Sequence, residues 1–244
     1  MQMKVFLVNL DRDKERLSSI DGQIKAIGID YERVSAVYGR DLSGAERQVA
    51  FDPFRWWCAM GRPVALAEIG CALSHYNIYR QMVADENLAY CCILEDDVAL
   101  SPEFKMTLEV VERWLDPSKP QVVILNDHQN KYRTLPPGIH HSCFGGSCTD
   151  GYVLTRVAAR NLLDANLPII VPCDTWRRWV RQERIELYHA VPAVVRQKQE
   201  VFGSTTSEQR VDVSSLSFPK RFLHKAKRAI GKSLDICLMK VTGR

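Results

Sequence analysis

Nowhere in this sequence do the roughly 18 to 20 apolar residues of a membrane span follow one another, so no transmembrane helix is expected. Met3 to Leu10 is apolar only over the length of a strand, and no secretory leader is expected from it. The eight cysteines (Cys58, Cys71, Cys91, Cys92, Cys143, Cys148, Cys173 and Cys237) contain no C-x-x-C pair. Adjacent Cys91 and Cys92 would face opposite sides of a strand. A structural zinc site and a disulfide framework are therefore both disfavoured, and reduced thiols in a cytosolic protein are expected. No internal repeat and no His-rich or paired His–Asp motif occurs. What remains is ordinary for a soluble globular protein: 244 residues, 46% hydrophobic and 25% charged, long enough to bury a sizeable core.

Charge of one sign is nearly absent from the end of the chain. From Phe218 onward there are eight basic residues against one acid, Asp235, so this segment carries +7 of a total of +4 and leaves the rest at −3. At helical spacing Arg221, Lys225, Arg228 and Lys232 form one stripe, with Phe222, Ala226, Ala229, Ile230, Cys237 and Val241 on the other side. The pattern divides the chain into a catalytic-sized domain, 1–214, and a basic amphipathic tail, 215–244. Such a tail suits an anionic membrane surface, each basic residue contributing roughly 1 kcal/mol near the lipid. Nucleic acid is not expected, because no aromatic-and-basic reading surface accompanies the stripe. A cytoplasmic protein held peripherally on the inner face of an inner membrane is the corresponding expectation.

Before the tail, strand and helix patterns alternate, which predicts a mostly parallel sheet covered on both faces. Strands are read at Lys4–Leu10, Tyr31–Ala36, Ala89–Leu94, Gln121–Leu125 and Gly151–Leu154, and helices at Asp13–Ile27, Glu68–Ala84, after the N-cap Ser101, and at Arg156–Ala165. Gly39 to Pro63 reads as less regular, a lid or acceptor loop carrying Trp56 and Trp57. Lys131 to Cys148 also reads as a loop.

The apolar run Cys91-Cys92-Ile93-Leu94 ends abruptly in Glu95-Asp96-Asp97. An unpaired buried carboxylate costs several kcal/mol, so the acids belong where the strand emerges, at the carboxyl edge of the sheet where open α/β proteins bind ligands. Alternation along an extended chain puts Glu95 and Asp97 on one face and Asp96 on the other. Two carboxylates aimed together make a hard oxygen site for Mg²⁺ or Mn²⁺ holding a diphosphate.

Six segments taken together resemble glycosyltransferase family 25, the lipopolysaccharide and lipooligosaccharide galactosyltransferases related to procollagen galactosyltransferases. In order they are Val8-Asn9-Leu10-Asp11-Arg12 with Arg16; Gly70-Cys71-Ala72-Leu73-Ser74-His75; Leu94-Glu95-Asp96-Asp97-Val98; Gly151-Tyr152-Val153-Leu154-Thr155-Arg156; Pro172-Cys173-Asp174-Thr175-Trp176; and Pro192-Ala193-Val194-Val195-Arg196-Gln197. The resemblance implies a GT-A-like nucleotide-sugar fold, a UDP-sugar donor, and inverting transfer of a hexose, galactose before glucose, to a saccharide or glycolipid acceptor.

It also implies roles for particular residues. Asp97 would hold Mn²⁺ or Mg²⁺ with Glu95 or Asp96 assisting. Asn9, Arg12, Arg16, Ser74, His75 and Gln197 would meet the donor, and guanidinium forks suit phosphate. An inverting reaction needs a carboxylate to deprotonate the acceptor hydroxyl, worth roughly 10²- to 10⁴-fold. Asp174 is favoured for this and Asp150 is the alternative, although Asp174 also suits the N-cap of a helix at Thr175–Gln182. Trp56, Trp57 and Trp176 are the aromatics that could stack on sugars. Two other classes fit the same residues: a metal-dependent phosphohydrolase, and an inactive glycan- or partner-binding protein on this fold.

Overall fold

The computed structural model describes residues 3–126, 128, 135–142 and 148–198. The expected amphipathic tail lies outside the described residues, as does much of the Lys131–Cys148 loop. The first elements are β1 (Lys4–Asn9), α1 (Lys14–Ile27), β2 (Glu32–Ser35), α2 (Gly44–Ala50), α3 (Pro53–Met60), α4 (Leu66–Ala84), β3 (Tyr90–Glu95) and β4 (Val98–Leu100). They are followed by α5 (Phe104–Trp114), β5 (Gln121–Ile124), β6 (Gly138–His141), β7 (Gly151–Thr155), α6 (Arg156–Asn166), α7 (Trp176–Arg181), β8 (Glu186–Val191) and β9 (Val195–Gln197). No helix among the described residues is long and apolar enough to cross a membrane.

The chain divides into two compact units. The larger takes the described parts of Met1–Val37, Ser74–Leu163 and Cys173–Gly203. Its seven-stranded sheet has the order β2-β1-β3-β7-β5-β8-β6. β2, β1 and β3 pair in parallel, as do β5 and β8, whereas β7 runs antiparallel to both β3 and β5, and β6 to β8. Five strands therefore share one direction, in keeping with a mostly parallel sheet, but β7 is reversed at its centre. Among its described residues the β5–β7 connection carries β6, whereas parallel neighbours are usually joined by a helical crossover.

Alternation sorts the central strands onto two faces. Val5, Leu7, Cys92, Leu94, Val123 and Val153 bury themselves under Ile20 and Ile24 of α1 and Phe104, Leu108 and Val111 of α5. On the opposite face Tyr152 hydrogen-bonds Tyr79 and His75 of α4, and the Cys91 thiol lies 3.3 Å from the Met82 sulfur. α4 is buried almost all round, which its apolar residues at successive positions require. α1 stops at Gly28, whose φ of 71° is left-handed, closing the helix with hydrogen bonds to Ile24 and Lys25. α5 starts later than the Ser101 signal suggests, because the Ser101 carbonyl accepts from Phe104 N at 3.1 Å and forms a turn first.

The smaller unit takes the described parts of Tyr38–Leu73 and Asp164–Pro172. Its Gly39–Pro63 stretch is more regular than expected, forming α2 and α3. Both starts are capped by side chains: Ser43 and Glu46 form a reciprocal capping box, and Asp52 accepts from Arg55 N before Pro53 at the first helical position. Buried Glu68 takes both Arg62 nitrogens at 2.7 and 2.6 Å, and Arg62 lies over the buried Trp56 ring.

Beside the large sheet, β4 and β9 form a two-stranded ribbon that passes tightly over β7. A Cβ placed on Gly151 would stand 2.8 and 2.9 Å from the Val195 methyl groups. Val is stiff at χ1 and cannot swing away, so the ribbon itself would have to shift. Gly151→Ala is expected to destabilise the protein by about 1–3 kcal/mol, read as a lower urea midpoint at unchanged m-value.

Candidate active site

The carboxyl edge of the large sheet gathers the acids because strand ends of both senses arrive there. β3 delivers Glu95 at its end, and Asp96-Asp97 form the turn into β4. β7, being reversed, delivers its start, so Cys148-Thr149-Asp150 reach the same edge, with Asp150 O accepting from Glu95 N at 3.0 Å.

Alternation holds as far as Asp96 and then ends. Glu95 faces α4, where its Oε1 meets His75 Nε2 at 3.3 Å and accepts from Thr149 Oγ1 at 2.5 Å. Asp96 faces α1, accepting from Asn9 Nδ2 at 2.6 Å and Arg16 Nη1 at 3.4 Å. Asp97 does not return to share Glu95's hydrogen-bond partners. The turn breaks the extended geometry, and Asp97 Oδ2 lies 3.7 Å from the same Arg16 nitrogen.

Asp96 and Asp97 are only 7% and 6% exposed. Burial raises the Asp96 carboxyl, against the hydrogen bond from Asn9 and the charge of Arg16. Asp97 is pushed up to about 7, first by burial and then by the negative charge of Glu95, with Arg16 and a hydrogen bond from Gln197 opposing. Glu95 goes the other way: burial would raise it, but hydrogen bonding and charge from His75, with the Thr149 hydroxyl, hold it below its usual value. Asp97 Oδ1 is buried with no hydrogen-bond partner among the described residues. An orphaned carboxylate oxygen on an acid that also feels the negative charge of Glu95 and Asp96 is of the kind a hard divalent cation satisfies.

The other sequence-predicted residues fall in distinct places. Asn9 closes β1 and is fixed on both sides, donating to Asp96 and to the Asp13 carbonyl and accepting from Arg33 Nε at 2.9 Å. Arg12 is exposed in the turn after β1, its Nε 3.5 Å from Asp13. Ser74 is buried and accepts from Val37 N at 2.8 Å, anchoring the segment that leaves β2. Gln197 pairs across the ribbon with Val98, next to Asp97. Trp56 and Trp176 are core residues at 1% and 0% exposure and offer no face to a sugar, whereas Trp57 is half-buried.

The two candidate bases differ sharply. Asp150 is 1% exposed, and both its oxygens are taken, Oδ1 by Asn126 Nδ2 at 2.5 Å and Oδ2 by His128 Nε2 at 2.8 Å. Asp174 is half-buried and accepts from Cys148 N at 3.4 Å, while Trp176 Nε1 donates to the Cys148 carbonyl. The N-cap of α7 falls on Thr175, one residue beyond Asp174. Three consecutive residues thus tie the site together: Cys148 to Asp174, Thr149 to Glu95, and Asp150 to His128. Cys148 adopts a left-handed φ of 64° to do so, a conformation that costs a non-glycine residue roughly 1–3 kcal/mol.

The sequence reading did not single out Arg33, Asn126, His128 or Thr149. Two of them carried a usable signal: Asn126 ends an apolar strand, and Thr149 flanks an acid and a glycine.

Known proteins resemble this chain over most of its length. The family model described as "Glycosyltransferase family 25 (LPS biosynthesis protein)" matches residues 2–176, a stretch that runs from before Asn9 to beyond Asp174. "Procollagen galactosyltransferase 1-B" of Xenopus laevis is 28% identical over 187 residues, 70% of this chain and 30% of that protein. A "Glycosyltransferase 25 family member" of Drosophila pseudoobscura pseudoobscura is 35% identical over 185 residues, 70% of this chain and 28% of its own length. Another of that description, from Anopheles gambiae, is 27% identical over 237 residues, 78% of this chain and 36% of its own. The chain spans about a third of the length of these relatives.

The His128–Asp150 pair yields a pH dependence. Hydrogen bonding to Asp150 and to Cys148 raises His128 to about 10. A raised histidine stabilises the fold fully below its unfolded value, roughly 6.5, and that contribution is lost as pH rises toward about 10. The stability gap between wild type and His128→Gln in urea titrations is expected to narrow steadily between pH 6.5 and 10. A gap that widens over that interval would contradict the pairing.

Proposed function

The chain belongs to glycosyltransferase family 25, and from that premise we propose that it is a metal-dependent inverting glycosyltransferase. It moves a hexose, galactose before glucose, from a UDP-sugar to a saccharide acceptor of lipopolysaccharide or a related surface glycan. The observation that carries this reading is the buried acid cluster, with Asp97 Oδ1 left unpartnered beside Glu95 and Asp96. A protein that needed these side chains only for its fold would gain from losing a charge there. Galactose takes precedence because relatives with this family's sequence are named procollagen galactosyltransferases.

In this reading Asp97 and Glu95 hold Mn²⁺ or Mg²⁺, with Asp96 set by Asn9 and Arg16 behind them. A divalent cation bound there supplies positive charge against the charge that grows on the departing diphosphate. Arg16 adds a guanidinium on the α1 side of the cluster, and Asn9, pinned by Arg33, keeps Asp96 directed inward. Asp174 takes the proton of the acceptor hydroxyl. It is the better base because Asp150 is sealed from solvent and already bonded through both oxygens, which leaves Asp150 to orient His128. The +7 tail holds the enzyme against an anionic membrane surface, where a glycolipid acceptor would be found.

Titration calorimetry with UDP, UDP-galactose and UDP-glucose, each with and without Mn²⁺, tests the donor site. Metal-dependent binding with a preference for UDP-galactose is expected, and no binding under any condition would overturn the transferase reading. Asp97→Asn is expected to lower transfer by about 10²-fold or more while thermal stability stays equal or rises, since a buried charge is removed. Truncation after Ser214 is expected to reduce binding to anionic vesicles more than turnover on a soluble acceptor, and equal vesicle binding by both forms would count against membrane attachment.

A further inference from the structure

Behind Glu95 lies a chain of polar side chains that begins at His75 and runs into the core. His75, 0% exposed, meets Glu95 Oε1 through Nε2 at 3.3 Å and the Tyr152 hydroxyl through Nδ1 at 2.8 Å. Tyr152 in turn meets the Tyr79 hydroxyl at 2.7 Å, and both tyrosines are fully buried. Burial drives both phenols well above their usual range, so they remain protonated hydroxyls. Tyr152 also packs edge-to-face with Trp176, ring centroids 5.2 Å apart.

This arrangement has a directional consequence. Glu95 Oε1 accepts from Thr149, and an ionised carboxylate can only accept, so His75 Nε2 must carry its hydrogen. The second ring nitrogen, deep in the core, then needs a partner that suits whatever form it takes. A hydroxyl is such a partner, because it both donates and accepts, and Tyr79 completes the hydrogen bonding of Tyr152 in either orientation. Both hydrogen bonds to Glu95 fall on Oε1, which reserves Oε2 for a ligand.

We propose that Tyr152, backed by Tyr79, is a positioning residue of the active site: it locks the His75 ring so that Nε2–H fixes Glu95 with one oxygen presented to the cation. The inference rests on the metal reading given above and adds residues that act on the site from the contact between α4 and the sheet. Partners that orient a metal ligand in this way typically matter by 10- to 100-fold in affinity or activity. The effect should decay along the chain, from His75 through Tyr152 to Tyr79.

The test has two arms. In the first, ¹⁵N-histidine NMR of the metal-free protein reads the ring nitrogens of His75, assigned with His75→Gln. Wild type is expected to show a hydrogen on Nε2, and Tyr152→Phe to shift the signals toward a tautomer mixture. A bare Nε2 in wild type, or an unchanged spectrum in Tyr152→Phe, would overturn the proposal. In the second, binding of Mn²⁺ alone is followed by electron paramagnetic resonance on protein whose melting curve shows it folded. Affinity is expected to fall about tenfold in Tyr152→Phe, less in Tyr79→Phe and most in His75→Ala, with partial recovery in His75→Gln, whose amide can still donate to Glu95. Equal Mn²⁺ affinity in wild type and Tyr152→Phe would refute the positioning role. Absence of Mn²⁺ binding in wild type would instead overturn the metal reading, and the first arm would still decide the ring's orientation.

Discussion

Asp96 and Asp97, held almost out of water beside a half-buried Glu95 and with the guanidinium of Arg16 against the first two, are the constraint to which much of the larger unit answers. Each buried charge costs several kcal/mol unless it is paired, and one cation cannot neutralise three anions. The surroundings compensate with hydrogen bonds from fixed positions: Asn9 from the end of β1, Thr149 from the start of β7, His75 from α4 and Gln197 from the ribbon. The compensation stops short at Asp97 Oδ1. In the proposed reading, the oxygen left unmet exchanges stability for binding.

The reversed strand is what makes that concentration of groups possible. In a fully parallel sheet only strand ends reach the carboxyl edge, and each is followed by a loop leading away to a helix. β7 brings a strand start to the same edge between two strand ends, so three consecutive residues face three different partners. The left-handed backbone at Cys148 and the glycine at 151 are the local conditions for this. One turns the chain into the strand, and the other lets the Val195 side chain lie directly against it.

Much of this was legible in the sequence where the signal is local. The apolar run of β1, the left-handed glycine that ends α1, and the helix after Thr155 follow from patterns a few residues long. So does the placement of Glu95, Asp96 and Asp97 at the mouth of a strand, since desolvation forbids acids any deeper. Alternation failed only at Asp97, where a turn replaced the strand. The regularity of Gly39–Pro63 was missed although Ser43, Glu46, Asp52 and Pro53 signal two helix starts. What could not be read are partners distant along the chain and ordinary in type. Nothing near Thr149 points to Glu95, nothing near Arg33 points to Asn9, and the direction of β7 depends on a connection with no periodicity of its own.

The central position of β7 also dictates an order of assembly. β3 and β5 are not neighbours; in the sheet β7 lies between them and pairs with both. The acidic turn therefore emerges from synthesis well before the strand that closes the sheet beside it, and Thr149 and Asp150 arrive with that strand. Until β7 inserts, Glu95 lacks its hydroxyl partner, the half-sheet β2-β1-β3 has an open edge, and the acids stay hydrated. Adding β7 joins the halves and brings Thr149 to Glu95, while β8 and Gln197 of the ribbon, later in the chain, complete the sheet and the surroundings of Asp97. Pairings this distant in sequence carry a high loop-closure cost and slow folding, and a chain stalled before that step exposes a strand edge flanked by carboxylates. Charge at an open edge discourages pairing with a second chain, so the residues that serve the finished site also guard the unfinished one.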